Sequence, residues 1–199
     1  MKTTSLKKWI VGVAAACTFF SVGSFADAST TYQVKQGDTL WKLANTYSIP
    51  LLDLKKANAL QNNSLYAGKN ITIPSSPFTT SEQDLLARLV SAEAKGEPYA
   101  GKVAVATVVL NRVDSKDFPN TLSGVINEVS NGHYAFTPVQ NGTIKQVATA
   151  ESKRAAKEAI ALKGMSKGSL FFYNPKTSTS KWITSRQTVV TIGQHVFAK

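Results

Sequence analysis

Residues 85–113 read LLARLVSAEAKGEPYAGKVAVATVVLNRV, and their apolar pattern predicts the main buried segments of the larger part of the chain. Its first half carries apolar residues at positions 85, 86, 89 and 90, a spacing that predicts a helix with one buried face. Gly96 and Pro98 end that helix. The second half is apolar almost throughout from 101 to 113, and periodicity alone leaves a buried helix and a buried strand open.

One acid lies within the apolar pattern of this stretch. Glu93 follows Leu89 by four residues and Leu85 by eight, so on a helix it continues the buried stripe. Burial disfavours the charged form of a carboxyl group and raises its pKa, which suits a proton donor. Cleavage of a glycosidic bond requires such a donor. The alternative is a structural acid that caps a helix or pairs with a cation, and spacing alone does not separate the two.

Glu97 is the second candidate acid. It stands between Gly96 and Pro98, and the proline biases it toward an extended loop just past the helix end. It could bind substrate, cap the next helix or act as a partner carboxylate. We favour a structural or substrate-positioning role and count Glu97 among the substrate-binding candidates.

The remainder of segment 82–199 is predicted to be mixed. Ser81 is the predicted N-cap of the first helix. Further helices are predicted at 122–129 and, where an Ala/Lys/Glu-rich run ends before Gly164, at 150–162. Residues 169–173 and 189–192 are predicted strands. The segment is therefore expected to be an α+β domain, mostly helical, with a small sheet.

Residues 32–74 read as a separate compact unit. A short strand at 32–34 is followed by helices at 40–47 and 51–57 and by a closing strand at 71–73, which gives a small βααβ domain. Either Asp38 or Thr39 is placed to cap the first helix.

This unit resembles a LysM domain. The residues that carry the resemblance are Tyr32, Val34, Gly37, Asp38, Thr39, Leu40, Trp41, Ala44, Tyr47, Ile49, Leu54, Asn58, Leu60, Gly68, Ile71, Ile73 and Pro74. The resemblance implies binding of the N-acetylglucosamine-containing backbone of peptidoglycan or chitin. It also implies a sugar groove between Gly37, Asp38 and Thr39 on one side and the loop with Pro50 and Leu51 on the other. The alternative is that the first three are turn and cap residues only.

The first 28 residues have the features of a secretory signal peptide. Three lysines precede an apolar stretch from 9 to 22, and the small-x-small pattern Ala-Asp-Ala ends at residue 28. The apolar stretch is short for a bilayer span, so we expect secretion to the cell wall or spore envelope without stable membrane insertion. A retained anchor is the alternative. The expected division is signal peptide 1–28, LysM domain 31–74, Ser/Thr/Pro-rich linker 75–81 and C-terminal domain 82–199.

The composition of the chain restricts the kinds of functional site that it can form. The chain has 23 Lys and Arg against 12 Asp and Glu, and its formal net charge is +11. Its one cysteine, Cys17, lies in the predicted signal peptide, and its two histidines occur in unrelated contexts. We therefore expect no metal site and no cofactor. A basic chain suits any polyanion, and the signal peptide favours an anionic wall over nucleic acid.

A second resemblance covers nearly all of residues 85–199. The motifs that carry it are LVSAEAKGEP (89–98), GKVAVA (101–106), LNRV (110–113), FPNTLSGVI (118–126), FTPV (136–139), FYNP (172–175), SKWI (180–183) and IGQHVF (192–197). They are similar to the cell-wall hydrolase domain of spore cortex-lytic enzymes. The resemblance implies a lysozyme-like fold related to lytic transglycosylases, in which 101–113 is a buried helix. It assigns the catalytic acid to Glu93, and the substrate-binding candidates are Phe136, Thr137, Tyr173, Asn174 and Trp182.

The implied enzyme cuts between N-acetylmuramic acid and N-acetylglucosamine with one carboxyl group. Glu93 would protonate the bridging oxygen and then accept a proton from the muramic C6 hydroxyl, which closes a 1,6-anhydro ring. Two alternatives stay open: a hydrolytic muramidase that uses Glu93 with Glu97 or a water, and a non-catalytic wall-binding envelope protein. The sequence leaves open whether the substrate is spore cortex or vegetative wall, and it leaves the identity of any regulator open.

Overall fold

The computed structural model describes residues 29–166 and 168–199. The predicted signal peptide lies outside these residues. Within them, no helix combines the length and the apolar character needed to cross a membrane.

The N-terminal unit has the predicted order of elements, and its two strands pair antiparallel with Thr30 opposite Ile73. Thr39 caps the first helix, since its side chain accepts a hydrogen bond from the Lys42 N–H. Asn58 ends the second helix and exchanges two hydrogen bonds of 2.7 Å with the backbone of Thr72, which ties that helix to the closing strand. The elements are β1 (Thr30–Gln33), α1 (Leu40–Tyr47), α2 (Leu51–Ala57) and β2 (Asn70–Ile73).

The C-terminal part is mostly helical, as predicted. Its helices are α3 (Thr80–Glu93), α4 (Tyr99–Asp114), α5 (Leu122–Ile126), α6 (Thr137–Gln140), α7 (Ala150–Ala161) and α8 (Lys181–Thr184), with a 3₁₀ turn at Thr143–Lys145. The apolar run 101–113 lies within α4 and is a helix. Its residues are buried on nearly every side because α3, α5, α7 and the sheet all pack around it.

The start of α3 differs from the prediction. Thr79, not Ser81, is the N-cap, and it forms a capping box with Glu82. The Thr79 side chain accepts from the Glu82 N–H, while the Glu82 carboxylate accepts from the Thr79 N–H at 2.9 Å. The helix therefore begins inside the predicted linker.

Two small antiparallel sheets complete this part of the chain. β5 (Phe171–Tyr173), β7 (His195–Ala198) and β6 (Thr188–Ile192) form one sheet in the order β5–β7–β6. The other is the hairpin of β3 (Val129–Ser130) and β4 (His133–Tyr134). The helix predicted at 122–129 ends earlier because this hairpin takes Val129 into a strand. Neither the hairpin nor β7 was predicted.

The C-terminal core lies between α3, α4 and α7. Leu86, Leu89 and Val90 of α3 are fully buried there, and so are Val105 and Val108 of α4. The C-terminal end of α3 is the point where this core meets solvent, and it is also where the candidate site lies.

Candidate active site

Glu93 is the last residue of α3 and lies at the boundary between core and solvent. Leu89, one turn earlier, is completely buried, and Glu93 is partly buried. Burial raises the pKa of Glu93 from 4.5 to about 7, because loss of water disfavours the carboxylate, and the positive charge of Arg112 opposes part of this rise. The desolvation predicted from the spacing is confirmed. Near neutral pH the group is present in both its protonated and its ionised form.

Glu93 borders a cleft with a volume of about 510 Å³. The C-terminal half of α3 forms one wall, and segment 137–149 forms the other, from the start of α6 to the N-cap of α7. Among the described residues that line the cleft, Glu93 is the one acid. The lining residues are Arg88, Ser91, Ala92, Glu93, Lys95, Thr137, Pro138, Asn141, Thr143, Gln146, Val147 and Thr149.

Hydrogen bonds fix the second wall to the helix that carries Glu93. The Arg88 Nη1 donates to the carbonyl oxygen of Ile144 at 3.0 Å, and the Thr149 N–H donates to the Ser91 Oγ at 2.9 Å. Asp84 lies 3.0 Å from the Arg88 Nε and holds that guanidinium in place. Both anchors come from α3, so the two walls and the acid are positioned by one helix.

Arg112 is a buried cation whose charge acts on Glu93. Its guanidinium carbon lies 4.9 Å from the ring centre of Phe118, 5.2 Å from that of Phe136 and 5.5 Å from that of Phe171. Its Nε donates to the Leu170 carbonyl oxygen at 2.8 Å. Burial lowers the pKa of Arg112 to about 10, and it therefore stays charged at neutral pH. This charge favours ionised Glu93 and limits how far burial can raise its pKa.

Glu97 is not among the residues that line the cleft with Glu93, and its predicted role toward substrate stays a prediction. Its side chain is 6% exposed, and its Oε2 accepts a hydrogen bond of 3.0 Å from the Gln194 N–H in the turn between β6 and β7. Gly193 permits this close approach, because a Cβ there would overlap the Glu97 carboxylate. The position supports the structural alternative: Glu97 joins the loop between α3 and α4 to the sheet.

Of the predicted substrate-binding residues in the C-terminal part, Thr137 lies in the cleft wall with Glu93. Phe136 is 3% exposed, and its ring stacks at 6.5 Å on Phe172. Its side chain is therefore part of the core, which corrects the expectation that it lines the cleft. The adjacent residue reaches the surface because the chain turns there into α6.

Tyr173, Asn174 and Trp182 do not line the cleft. Tyr173 ends β5, and the Asn174 Oδ1 accepts a hydrogen bond from the Lys176 N–H, which shapes the turn that follows. Trp182 is 54% exposed on α8. Its ring meets Phe171 edge-on at 5.1 Å, and the Arg186 guanidinium lies 4.3 Å from its centre. These three residues belong to the surface around the three-stranded sheet.

The predicted sugar-binding residues of the LysM domain divide into two groups. Gly37, Asp38 and Thr39 lie at the turn between β1 and α1, where Gly37 has a φ of +83°. Asp38 Oδ2 accepts hydrogen bonds of 2.8 Å from the Lys35 N–H and the Tyr32 hydroxyl, and these bonds lower its pKa. By contrast, the side chains of Pro50 and Leu51 are buried, Leu51 in the LysM core. A role of Pro50 and Leu51 in sugar binding stays a prediction.

Several residues of the cleft were missed in the sequence although a signal was present. Arg88, Ser91 and Ala92 follow the spacing i, i+3, i+4 of one helix face, adjacent to the buried face of α3, and Lys95 lies in the turn after that helix. Among the described residues, no group of three His, Cys, Asp or Glu side chains is placed to hold a metal ion.

Two family descriptions match the chain: LysM domain at residues 32–74 and Cell Wall Hydrolase at residues 96–198. Both resemblances seen in the sequence are confirmed. Glu93 precedes the second range, so its role rests on the geometry of the cleft.

Known proteins are similar to this chain in sequence and in structure. The spore cortex-lytic enzyme of Bacillus cereus is 41% identical over 139 residues, which cover 70% of this chain and 52% of that enzyme. The chain thus spans about half the length of the curated relative that it matches. Among solved structures, the catalytic domain of the germination-specific lytic transglycosylase SleB from Bacillus anthracis is 42% identical with a TM-score of 0.55, covering 62% of this chain and 98% of that one. The catalytic domain of the Bacillus cereus SleB protein is 43% identical with a TM-score of 0.54, covering 61% and 92%.

The Cell Wall Hydrolase match covers more than half of the chain and includes α4, α7, the three-stranded sheet and the cleft wall at 137–149. The chain therefore belongs to the Cell Wall Hydrolase family and carries a LysM domain ahead of the family domain.

Proposed function

We propose that this protein is a secreted peptidoglycan-cleaving enzyme, a lytic transglycosylase that acts between N-acetylmuramic acid and N-acetylglucosamine. The observation that carries the proposal is Glu93, a carboxyl group with a pKa of about 7 at the edge of a cleft of about 510 Å³. The relatives of this chain are named spore cortex-lytic enzyme and germination-specific lytic transglycosylase, and these names support the same activity here.

In the proposed reaction Glu93 acts first as an acid and then as a base. Protonated Glu93 donates its proton to the oxygen between the two sugars, and the bond from that oxygen to the muramic C1 breaks. The resulting carboxylate accepts the proton of the muramic C6 hydroxyl as O6 bonds to C1. The products are a free hydroxyl on N-acetylglucosamine and a 1,6-anhydro-muramic end, and Glu93 is again protonated. A pKa near 7 suits both half-reactions, because neither form is strongly disfavoured.

The composition of the cleft favours this route over hydrolysis. An inverting glycosidase places two carboxyl groups about 6.5–9.5 Å apart, and a retaining one about 5–5.5 Å apart. Among the described lining residues there is one carboxyl group, and Glu97 is turned toward Gln194. Ring closure by the substrate's own hydroxyl needs no second carboxylate.

The electrostatics of the cleft suit a wall polymer. Arg88 and Lys95 line it, and Lys95 is exposed and makes no ion pair within the described part of the chain. Peptidoglycan carries carboxylates on its peptide stems, and cations at the rim attract such a polymer. The LysM domain, with its turn at Gly37–Thr39, would hold the glycan while the cleft acts on it.

The test is digestion of purified peptidoglycan by the protein lacking residues 1–28. Spore cortex and vegetative wall are supplied in parallel, because the protein could act on either. We expect soluble glycan fragments from at least one of them and at least a 1,000-fold slower release by Glu93→Gln, on the order of what loss of an essential acid costs. Glu158→Gln is the matched control, because its amide still accepts the Tyr99 hydroxyl and it lies outside the cleft.

Two outcomes would reject the proposal. Equal release by the Glu93→Gln variant would remove Glu93 from the chemistry. No release by the parent protein from either substrate, with binding to both retained, would favour the non-catalytic wall-binding alternative.

A further inference from the structure

The two domains meet through the C-terminal end of α7. Ala161, the last residue of that helix, is completely buried and belongs to the hydrophobic core of the LysM domain together with Leu43 of α1 and Leu51 of α2. α7 also packs against α1. In the turn after α7, a Cβ on Gly164 would lie 3.1 Å from Leu52 Cδ1, so that turn lies directly against the start of α2.

The segment that connects the two domains is held by hydrogen bonds at both ends. The Ser76 hydroxyl donates to the carbonyl oxygen of Ser48 in the LysM domain at 2.6 Å. The Gln83 side chain of α3 donates to the Phe78 carbonyl oxygen at 2.9 Å. Phe78 itself is buried in the C-terminal core. A connection held in this way limits the relative movement of the domains.

The other end of α7 lies at the cleft. Its N-cap, Thr149, is part of the cleft wall and is bonded to Ser91. Between the two ends, Ala155, Ala156 and Ile160 are buried in the C-terminal core, so the helix cannot pivot independently of it. Its 12 residues span about 18 Å.

We propose that the LysM domain and the C-terminal domain act as one rigid body, with α7 as the strut between the cleft and the LysM domain. Domains joined in one chain move relative to each other by default unless their interface is apolar and well packed. Here a core residue of one domain is supplied by a helix of the other. The functional consequence rests on the proposed function: the LysM domain presents the cleft to glycan at a set distance, rather than tethering a freely moving enzyme.

The first experiment measures docking without using activity. Because its one cysteine is Cys17, the protein lacking residues 1–28 accepts spin labels at new cysteines only. Labels at Lys35→Cys and Lys116→Cys, both exposed, report the distance between the domains by pulsed electron paramagnetic resonance. A single narrow distance distribution is expected, and it should broaden when Ala161→Glu places a charge in the interface. A broad distribution in the parent protein would overturn the proposal.

The second experiment measures the consequence. Leu52→Glu alters the same interface from a side chain that is 46% exposed, so it should spare the LysM core if Ala161→Glu does not fold. Undocked variants should cleave intact sacculi about fivefold more slowly or worse. Their LysM domain is still tethered, but it no longer holds the cleft at a set distance from the glycan, and this lowers the effective concentration of glycan at the cleft. They should cleave soluble glycan strands at the parent rate. Ala100→Glu, on an exposed residue outside the interface, is the control.

The outcomes separate this inference from the proposed function. A parent protein that cleaves neither substrate would reject the proposed function, while the distance measurement would still decide whether the domains are docked. A broadened distance with unchanged rates on intact sacculi would reject the functional consequence.

Discussion

Replacement of Glu93 by glutamine should stabilise the protein at alkaline pH. Folding raises the pKa of this carboxyl from 4.5 to about 7, so the folded state binds the proton more tightly than the unfolded state. Below pH 4.5 the group is protonated in both states and costs nothing. Between pH 4.5 and about 7 the unfolded state ionises while the folded state keeps its proton, so stability is lost progressively. The loss is complete once the buried carboxylate has formed above pH 7. The full difference corresponds to about 3 kcal/mol.

Urea unfolding at several pH values, followed by circular dichroism, measures this difference. Glutamine cannot ionise, so the free energy of unfolding of Glu93→Gln minus that of the parent protein should grow by about 2–3 kcal/mol between pH 5 and pH 8. Other titrating groups are shared by both proteins and cancel in the comparison. A difference that stays constant over this range would refute the conclusion that burial controls Glu93.

Three further predictions follow from the contacts of single residues. Under the proposed function, the kcat/KM of glycan cleavage should fall about tenfold per pH unit above 7, because the acid form of Glu93 is lost, and a pH–rate profile checks this. Gly193→Ala should destabilise the protein by about 2 kcal/mol or more, since its Cβ would overlap the Glu97 carboxylate at a φ of +59°; thermal unfolding would refute this if the midpoint were unchanged. Thr39→Ala should lower the free energy of unfolding by about 1 kcal/mol through loss of the α1 cap, whereas Thr39→Ser should retain most of that stability, and denaturant unfolding measures both.

The sequence pattern predicts a structural feature correctly where a single helix or strand determines that feature. The βααβ order of the LysM domain followed from turn residues and short apolar runs, and α1 and α2 have the predicted bounds. The partial burial of Glu93 followed from its spacing after Leu89, because a helix repeats its faces every three to four residues. The hairpin at Val129 escaped prediction because strands of two residues are too short for a period.

The rest depended on contacts between distant segments. Glu97 is explained by Gln194, which lies 97 residues later in the chain and could not be paired with it from spacing. The family resemblance indicated Phe136 as a cleft residue, and the sequence alone does not distinguish an aromatic residue that stacks on sugar from one that packs in a core. Its burial depends on Phe172 and Arg112, which reach it from other elements.

Under the proposed function, a single carboxyl group, Glu93, cleaves glycan without water. Digestion of purified glycan strands in ¹⁸O-labelled water, with the products weighed by mass spectrometry, tests it directly. We predict fragments that end in 1,6-anhydro-muramic acid, that carry no ¹⁸O at the new end and that are missing with Glu93→Gln. Reducing ends labelled with ¹⁸O would contradict the account, because water would then be the nucleophile and a second group would have to activate it.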